Sequence, residues 1–320
     1  MTTDRSHEPL AVLLLGPTGS GKTALSLALG ERFAGEIVSC DSVAVYRGME
    51  LGSAKPSQEE RTRLPHHMID VADPDQPYTA GNYSRDARAA LRAIAARQHL
   101  PIVTGGTGLY LRALVSGLFD GPQRNDKLRE RLKRSAEKHQ NNWLHGILKR
   151  LDPASAAWIH SNDAPKLIRA IEVCLATRQP MSQKMGDEQR DPLTGFRLLR
   201  IGLNPPRPAL YERLNRRCAQ MFADGLVEET RALVERYGPV KSFDALGYRQ
   251  SNCVLQGLCS EAEAIQQAQQ GHRNYAKRQL TWFRREPEVH WIEDFGNTPE
   301  TLATACALVD HLRWGQWPSA

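Results

Sequence analysis

Between an apolar run, Leu10–Leu15, and a helical pattern, Lys22–Phe33, the chain reads Gly16-Pro17-Thr18-Gly19-Ser20-Gly21-Lys22-Thr23. No other stretch restricts the fold as much. A G-x-x-x-x-G-K-[ST] loop needs its glycines because the backbone must curl until successive N–H groups converge on one anion. Lys22 adds a positive charge, the Thr23 hydroxyl is placed for Mg²⁺ on bound phosphates, and the helix behind them contributes its positive N-terminal end. A strand that feeds such a loop and helix is the first unit of a parallel sheet. The loop therefore predicts a P-loop NTPase-like α/β core and a di- or triphosphate ligand. It does not say what the phosphate belongs to.

The rest of the first third repeats the unit. Glu36–Cys40 reads as a second strand ending at Asp41, His67–Val71 as a short third, and Pro101–Val103 as a further one running into Gly105-Gly106. Between them Thr79–Gln98 is an amphipathic helix, with Ala87, Leu91, Ile94 and Ala95 along one side. Strand signals stop from about residue 121 to 192, where Asp126–His139, Trp143–Leu151 and Ala164–Thr177 carry charged helical patterns. Leu198–Leu203 and Val289–Glu293 then return as strands among helices. The expectation is a core of residues 1–120 and 193–320, with a smaller helical insertion at 121–192.

Charge adds a direction. The net charge is +6, and basic residues gather in Arg124–Lys149, Arg197–Arg217 and His272–Arg285. Three such stretches are solvated helix faces by default, or a shared surface for a polyanion. The cysteines, Cys40, Cys174, Cys218, Cys253, Cys259 and Cys306, have no C-x-x-C pair, so zinc binding is not expected. The longest apolar run near the start is too short to cross a bilayer, and no secretory signal core precedes it. A cytoplasmic protein is expected, and a monomer, for want of a coiled-coil or exposed apolar stripe.

Three further features carry chemistry. Asp41 stands at the carboxyl end of a strand, where ligands of parallel sheets gather, as a general base or simply a turn cap. Gly105-Gly106-Thr107-Gly108 repeats a glycine loop after another strand, with the Thr107 hydroxyl free to donate or accept. Within Arg273–Arg285 cations alternate with aromatics, and Lys277, Thr281 and Arg284 share a helix face. That face suits either phosphate contact or an ordinary basic exterior. His66 and His67 read as structural, and Arg47 sits in a polar loop within reach of a ligand.

Taken in order, these motifs resemble those of the tRNA dimethylallyltransferase family, in its bacterial form. The resemblance rests on GPTGSGKT at Gly16–Thr23, CDSVAVYRGMELGSAKP at Cys40–Pro56 and PHHMIDVADPDQPYTA at Pro65–Ala80. It continues with GGTGLYL at Gly105–Leu111, HSNDAPKLIRAIEV at His160–Val173, ALGYRQ at Ala245–Gln250 and YAKRQLTWFR at Tyr275–Arg284. It implies transfer of a dimethylallyl group from dimethylallyl diphosphate to N6 of the adenosine at position 37, beside the anticodon of tRNA. Gly16, Pro17, Thr18, Gly19, Ser20, Gly21, Lys22 and Thr23 would hold the diphosphate, with Mg²⁺ on Thr23 and Arg217 as a further contact. Asp41 would be the base and Thr107 would orient the amine.

The same resemblance implies that the tRNA anticodon stem-loop is met by Asp41, Ser42, Val43, Ala44 and Thr107. Arg129 and the segment Pro165, Lys166, Leu167, Ile168, Arg169 would join from the insertion. Lys277, Arg278, Gln279, Leu280, Thr281, Trp282, Phe283 and Arg284 would join from the last third. Pro165-Lys166 departs from the pair usual in the family, which puts contact there in doubt. A prenyltransferase for free adenine nucleotides would share the loop, Asp41 and Thr107 but not need the basic surfaces. A small-metabolite kinase would use the loop for ATP.

Overall fold

Every residue of Leu10–Leu15 is buried, which requires cover on both faces of the strand it forms. The computed structural model describes residues 8–119, 121–122, 124–139, 142–187 and 191–314. Its strands are β1 (Leu10–Leu15), β2 (Gly35–Ser39), β3 (His66–His67), β4 (Leu100–Thr104), β5 (Arg197–Leu203) and β6 (Val289–Ile292). They form one sheet in the order β3-β2-β4-β1-β5-β6, and every pairing is parallel. The third strand is shorter than the sequence pattern suggests. Met68 and Asp70 take φ values of 65° and 56°, left-handed backbone that cannot continue a ladder.

The helices before the insertion are α1 (Lys22–Phe33), α2 (Gln58–Arg63), α3 (Ala80–Ala96) and α4 (Gly108–Val115). The insertion supplies α5 (Asp126–Lys138), α6 (Trp143–Leu151), α7 (Pro153–Trp158), α8 (Ala164–Thr177) and α9 (Met181–Asp187). After it come α10 (Arg207–Ala223), α11 (Leu226–Tyr237), α12 (Tyr248–Leu255), α13 (Glu261–Phe283) and α14 (Pro299–Trp314). Local chemistry sets their starts. Thr79 and Asn82 close a capping box on α3, and Ser260 and Glu263 do so on α13. Asp152 caps α7 with Pro153 in its first turn.

The period-two alternation of β1 divides the core. Val12 and Leu14 pack with Leu25 and Leu29 of α1 and Val309 of α14. Ala11, Leu13 and Leu15 face Ala87, Leu91 and Ile94 of α3, Tyr110 and Leu114 of α4, and Phe283 of α13. Each fully buried leucine here contributes about 2 kcal/mol. The chain divides into two compact units, Met1–Val115 with Leu193–Ala320, and Ser116–Pro192. The second has its own core around Leu132, Leu148, Leu167, Ile168 and Ile171. Among the described residues no helix is long and apolar enough to cross a membrane.

Candidate active site and nucleic-acid surfaces

The carboxyl ends of β1, β2 and β4 open onto one cleft of about 290 Å³ in the sheet unit. The loop after β1 runs Gly16–Gly21 and starts α1 directly. Gly21, the residue before that helix, has φ 91°, and a Cβ there would come within 2.7 Å of the Gly296 nitrogen. Only glycine combines that backbone with that approach. The Lys22 ammonium folds back on its own loop, donating to the carbonyls of Gly16 at 2.9 Å and Pro17 at 2.8 Å. Burial lowers its pKa to about 7, the neighbouring Arg217 pushes the same way, and Asp41 opposes both.

Arg217 and Arg213 stand one turn apart on α10 and both line the cleft. Arg217 donates through Nη2 to the Thr18 hydroxyl at 2.7 Å, and burial lowers its pKa. Arg213 lies over the Phe295 ring at 5.1 Å and donates to Asn297 Oδ1 at 2.8 Å. It was not among the residues expected from the sequence. Its signal was the i, i+4 spacing from Arg217, which places both guanidiniums on one helix face. Lys22, Arg213 and Arg217 thus concentrate positive charge around a cleft whose lining carboxylates are Asp41 and Glu60.

Asp41 follows β2, and its two oxygens have different surroundings. Oδ1 accepts from the N–H groups of Val43 at 2.8 Å and Ala44 at 3.1 Å, the turn-capping arrangement. Oδ2 has no protein partner among the described residues, and Asp41 lines the cleft. Capping and chemistry are therefore compatible here. Ser42, Val43 and Ala44 form the turn itself, with Ala44 buried and lining the cleft. Thr107 is tied to this turn: its N–H donates to the Cys40 carbonyl at 3.1 Å, and its Oγ1 accepts from the Ser42 N–H at 3.0 Å. The two residues expected to act on the amine are thus one hydrogen-bonded unit.

The Thr23 hydroxyl makes no hydrogen bond within the protein among the described residues and opens on the cleft. Thr23 Oγ1, a free carboxylate oxygen and the oxygens of a bound diphosphate are all hard donors, the set that suits a small divalent cation. Arg47 is paired with Asp73 at 3.3 Å, and His67 Nε2 donates to the Glu36 carboxylate at 2.6 Å. His66 lines the cleft, its Nδ1 held by the Leu64 carbonyl at 2.9 Å.

The family model described as IPP transferase matches residues 44–286. A tRNA dimethylallyltransferase of Koribacter versatilis is 59% identical over 303 residues, 94% of this chain and 98% of its own length. The chain belongs to the IPP transferase family. A solved tRNA isopentenylpyrophosphate transferase of Bacillus halodurans is 34% identical with a TM-score of 0.69, covering 95% of this chain and 98% of its own. A eukaryotic dimethylallyltransferase acting on tRNA, 23% identical, shares the fold with a TM-score of 0.80 over 96% of this chain and 80% of its own.

The basic residues outside the cleft divide into paired and unpaired sets. In the helical unit, Arg129 donates to both oxygens of Glu172, at 3.0 and 2.7 Å, and Arg169 donates to Glu172 Oε2 at 2.7 Å. Glu172 is 1% exposed, and its hydrogen bonds outweigh its burial and hold its pKa at about 2. Both arginines are thereby structural partners of a buried carboxylate. Leu167 and Ile168 belong to the core, Pro165 and Lys166 are exposed, and Lys166 is paired with Asp163. The unspent charge lies elsewhere on the same unit. Lys127, Arg131, Arg134 and Lys138 recur at helical spacing along the exposed side of α5 and make no ion pair among the described residues. The i, i+4, i+7, i+11 spacing was legible in the sequence.

On α13 the outer face carries Lys277, Arg278, Thr281 and Arg284, all exposed. Leu280 is half-buried, Phe283 is core, and Trp282 packs under Arg112 with the guanidinium 4.4 Å from its ring. Gln279 is buried, with both ends of its amide bonded inside the protein.

Proposed function

We propose that the protein transfers a dimethylallyl group from dimethylallyl diphosphate to N6 of adenosine 37, beside the anticodon of tRNA. The observation that carries this is the cleft itself. A P-loop, Lys22, Arg213 and Arg217 gather cationic donors at one wall, and the Asp41–Thr107 unit stands at the other. The first wall binds diphosphate as a leaving group, because its N–H groups and cations meet the charge that develops as the C–O bond breaks. Mg²⁺ held by Thr23 would neutralise part of that charge when bound.

The carbon that loses diphosphate gains allylic cation character and is attacked by N6. The adenine amine is a poor nucleophile, since its lone pair is delocalised into the ring. Asp41 Oδ2 accepts the N6 proton as the N–C bond forms, and the Thr107 hydroxyl turns from Ser42 to orient the amine. The base leaves its stack to reach the cleft, at a cost of a few kcal/mol. Each compact unit carries its own RNA-backbone surface, the α5 stripe in one and the outer face of α13 in the other.

Incubation with labelled dimethylallyl diphosphate, Mg²⁺ and either unmodified tRNA or AMP tests the reading. Label is expected in tRNA alone. Label in AMP alone would sink the tRNA assignment, and γ-phosphate transfer from ATP without prenylation would make the protein a kinase.

A further inference from the structure

The inner stripe of α13 is His272, Ala276, Gln279 and Phe283, all buried. A glutamine in such a stripe costs stability unless its amide is satisfied at both ends. Gln279 is 4% exposed, and both ends are used. The Thr18 N–H donates to Oε1 at 2.8 Å, and Nε2 donates to the Gly106 carbonyl at 2.8 Å. The fit at Gly106 is close, since a Cβ there would run into the Gln279 amide nitrogen.

The two groups it joins both line the cleft, Thr18 on the P-loop and Gly106 on the loop after β4. Thr18 is a P-loop residue whose hydroxyl also receives Arg217. Gly106 precedes Thr107, whose N–H and Oγ1 hold the Cys40–Ser42 segment and with it Asp41. One planar amide therefore spans from the diphosphate cradle to the acceptor side. On the outer side of the same 23-residue helix stand Lys277 and Thr281, with Arg284 at its C-cap.

We infer that Gln279 is a positioning residue, which sets the separation between the leaving-group cradle and the Asp41–Thr107 pair through the Thr18–Gln279–Gly106 bridge. This rests on the function proposed above and reassigns Gln279 from the RNA surface to the alignment of the reaction. In-line displacement is sensitive to this separation: a misplacement of about 1 Å costs on the order of 10²-fold in rate. Because bridge and basic face share one helix, RNA seated on the outside bears on a helix that also braces both walls.

Gln279→Met keeps the volume and loses both bonds; Gln279→Glu keeps the acceptor for Thr18 and loses the donor to Gly106. Steady-state and single-turnover kinetics with dimethylallyl diphosphate and an anticodon stem-loop RNA, alongside thermal melting, read the effect. The expected result is a fall in kcat of about 30- to 100-fold in both variants, with KM and Kd for RNA within about threefold of wild type. Lys277→Ala gives the contrasting signature of a raised KM for RNA. The inference is overturned by kcat retained in either variant, or by a raised KM for RNA at unchanged kcat, which marks a plain RNA contact. Loss of activity matched in both variants by loss of the folded fraction overturns it too. If Gln279→Met alone fails to fold, Gln279→Glu decides the matter. Wild type that transfers no prenyl group to RNA would instead refute the function on which the inference rests.

Discussion

Among the described residues, replacing Arg131 and Arg134 by alanine removes two of the four exposed cations of α5 that make no ion pair, and touches no hydrogen bond within the protein. From Lys127 to Lys138 the stripe runs about 16 Å at the rise of an α-helix, long enough to follow several phosphates of one strand. Each lost phosphate contact lowers the slope of log affinity against log salt by about 0.7 to 0.9, so the double variant lowers it by about 1.4 to 1.8. Between about 50 and 200 mM salt this makes the weakening roughly tenfold greater at the lower concentration. Arg129→Ala is expected to behave oppositely. It strips Glu172, 1% exposed, of a bidentate partner, so stability falls by about 1–3 kcal/mol while the salt slope is unchanged. Fluorescence anisotropy with a labelled anticodon stem-loop, titrated at several salt concentrations, together with urea unfolding, reads both. An unchanged slope in the double variant, or a reduced slope in Arg129→Ala at unaltered stability, would refute the division of the basic residues drawn from the helical unit.

Two further expectations follow from the sheet unit. Asp41→Asn keeps an oxygen to accept from Val43 and Ala44 but has none that takes up a proton, so kcat should fall by about 10²- to 10⁴-fold. RNA affinity should be nearly intact, and a variant that still turns over well removes Asp41 as the base. At the other end of β2, burial of Glu36 is outweighed by hydrogen bonds from Arg97, His67 and His99, which hold its pKa at about 2 against 4.5. Its folded value is depressed, so the stabilisation is full above pH 4.5 and is lost as pH falls toward 2. With Arg97 and His99 open to solvent, Glu36→Gln should cost about 2 kcal/mol at neutral pH. Urea midpoints of wild type and variant should draw together as pH falls from 4.5 toward 2; a gap as wide at pH 2 as at pH 7 would exclude Glu36 as its source.

The parts of this protein legible in its chain are those whose causes lie within a few residues of one another. The P-loop is such a part, because eight consecutive residues set its curl and its hand-over to α1. So is the Asp41 turn, closed by N–H groups two and three residues on. The caps of α3, α7 and α13 follow the same rule. Helical spacing likewise tells which side chains share a face, but not what that face meets. Lys277 and Gln279 sit two positions apart in one basic motif, and packing turns the first to solvent and the second into the cleft wall.

Arg129 and Arg131 stand two positions apart on one helix, yet the fold brings Glu172, 43 residues away, to the first and no ion-pair partner among the described residues to the second. The same holds for Arg217, joined to Thr18 across 199 residues, and for Gln279, joined to it across 261. The sequence thus announces a P-loop and a carboxylate at the end of a strand. How far apart they stand, and which cations remain to hold an RNA, depends on close packing between distant segments. No spacing along the chain encodes that, because a buried polar group takes whichever partner the packed core leaves within reach.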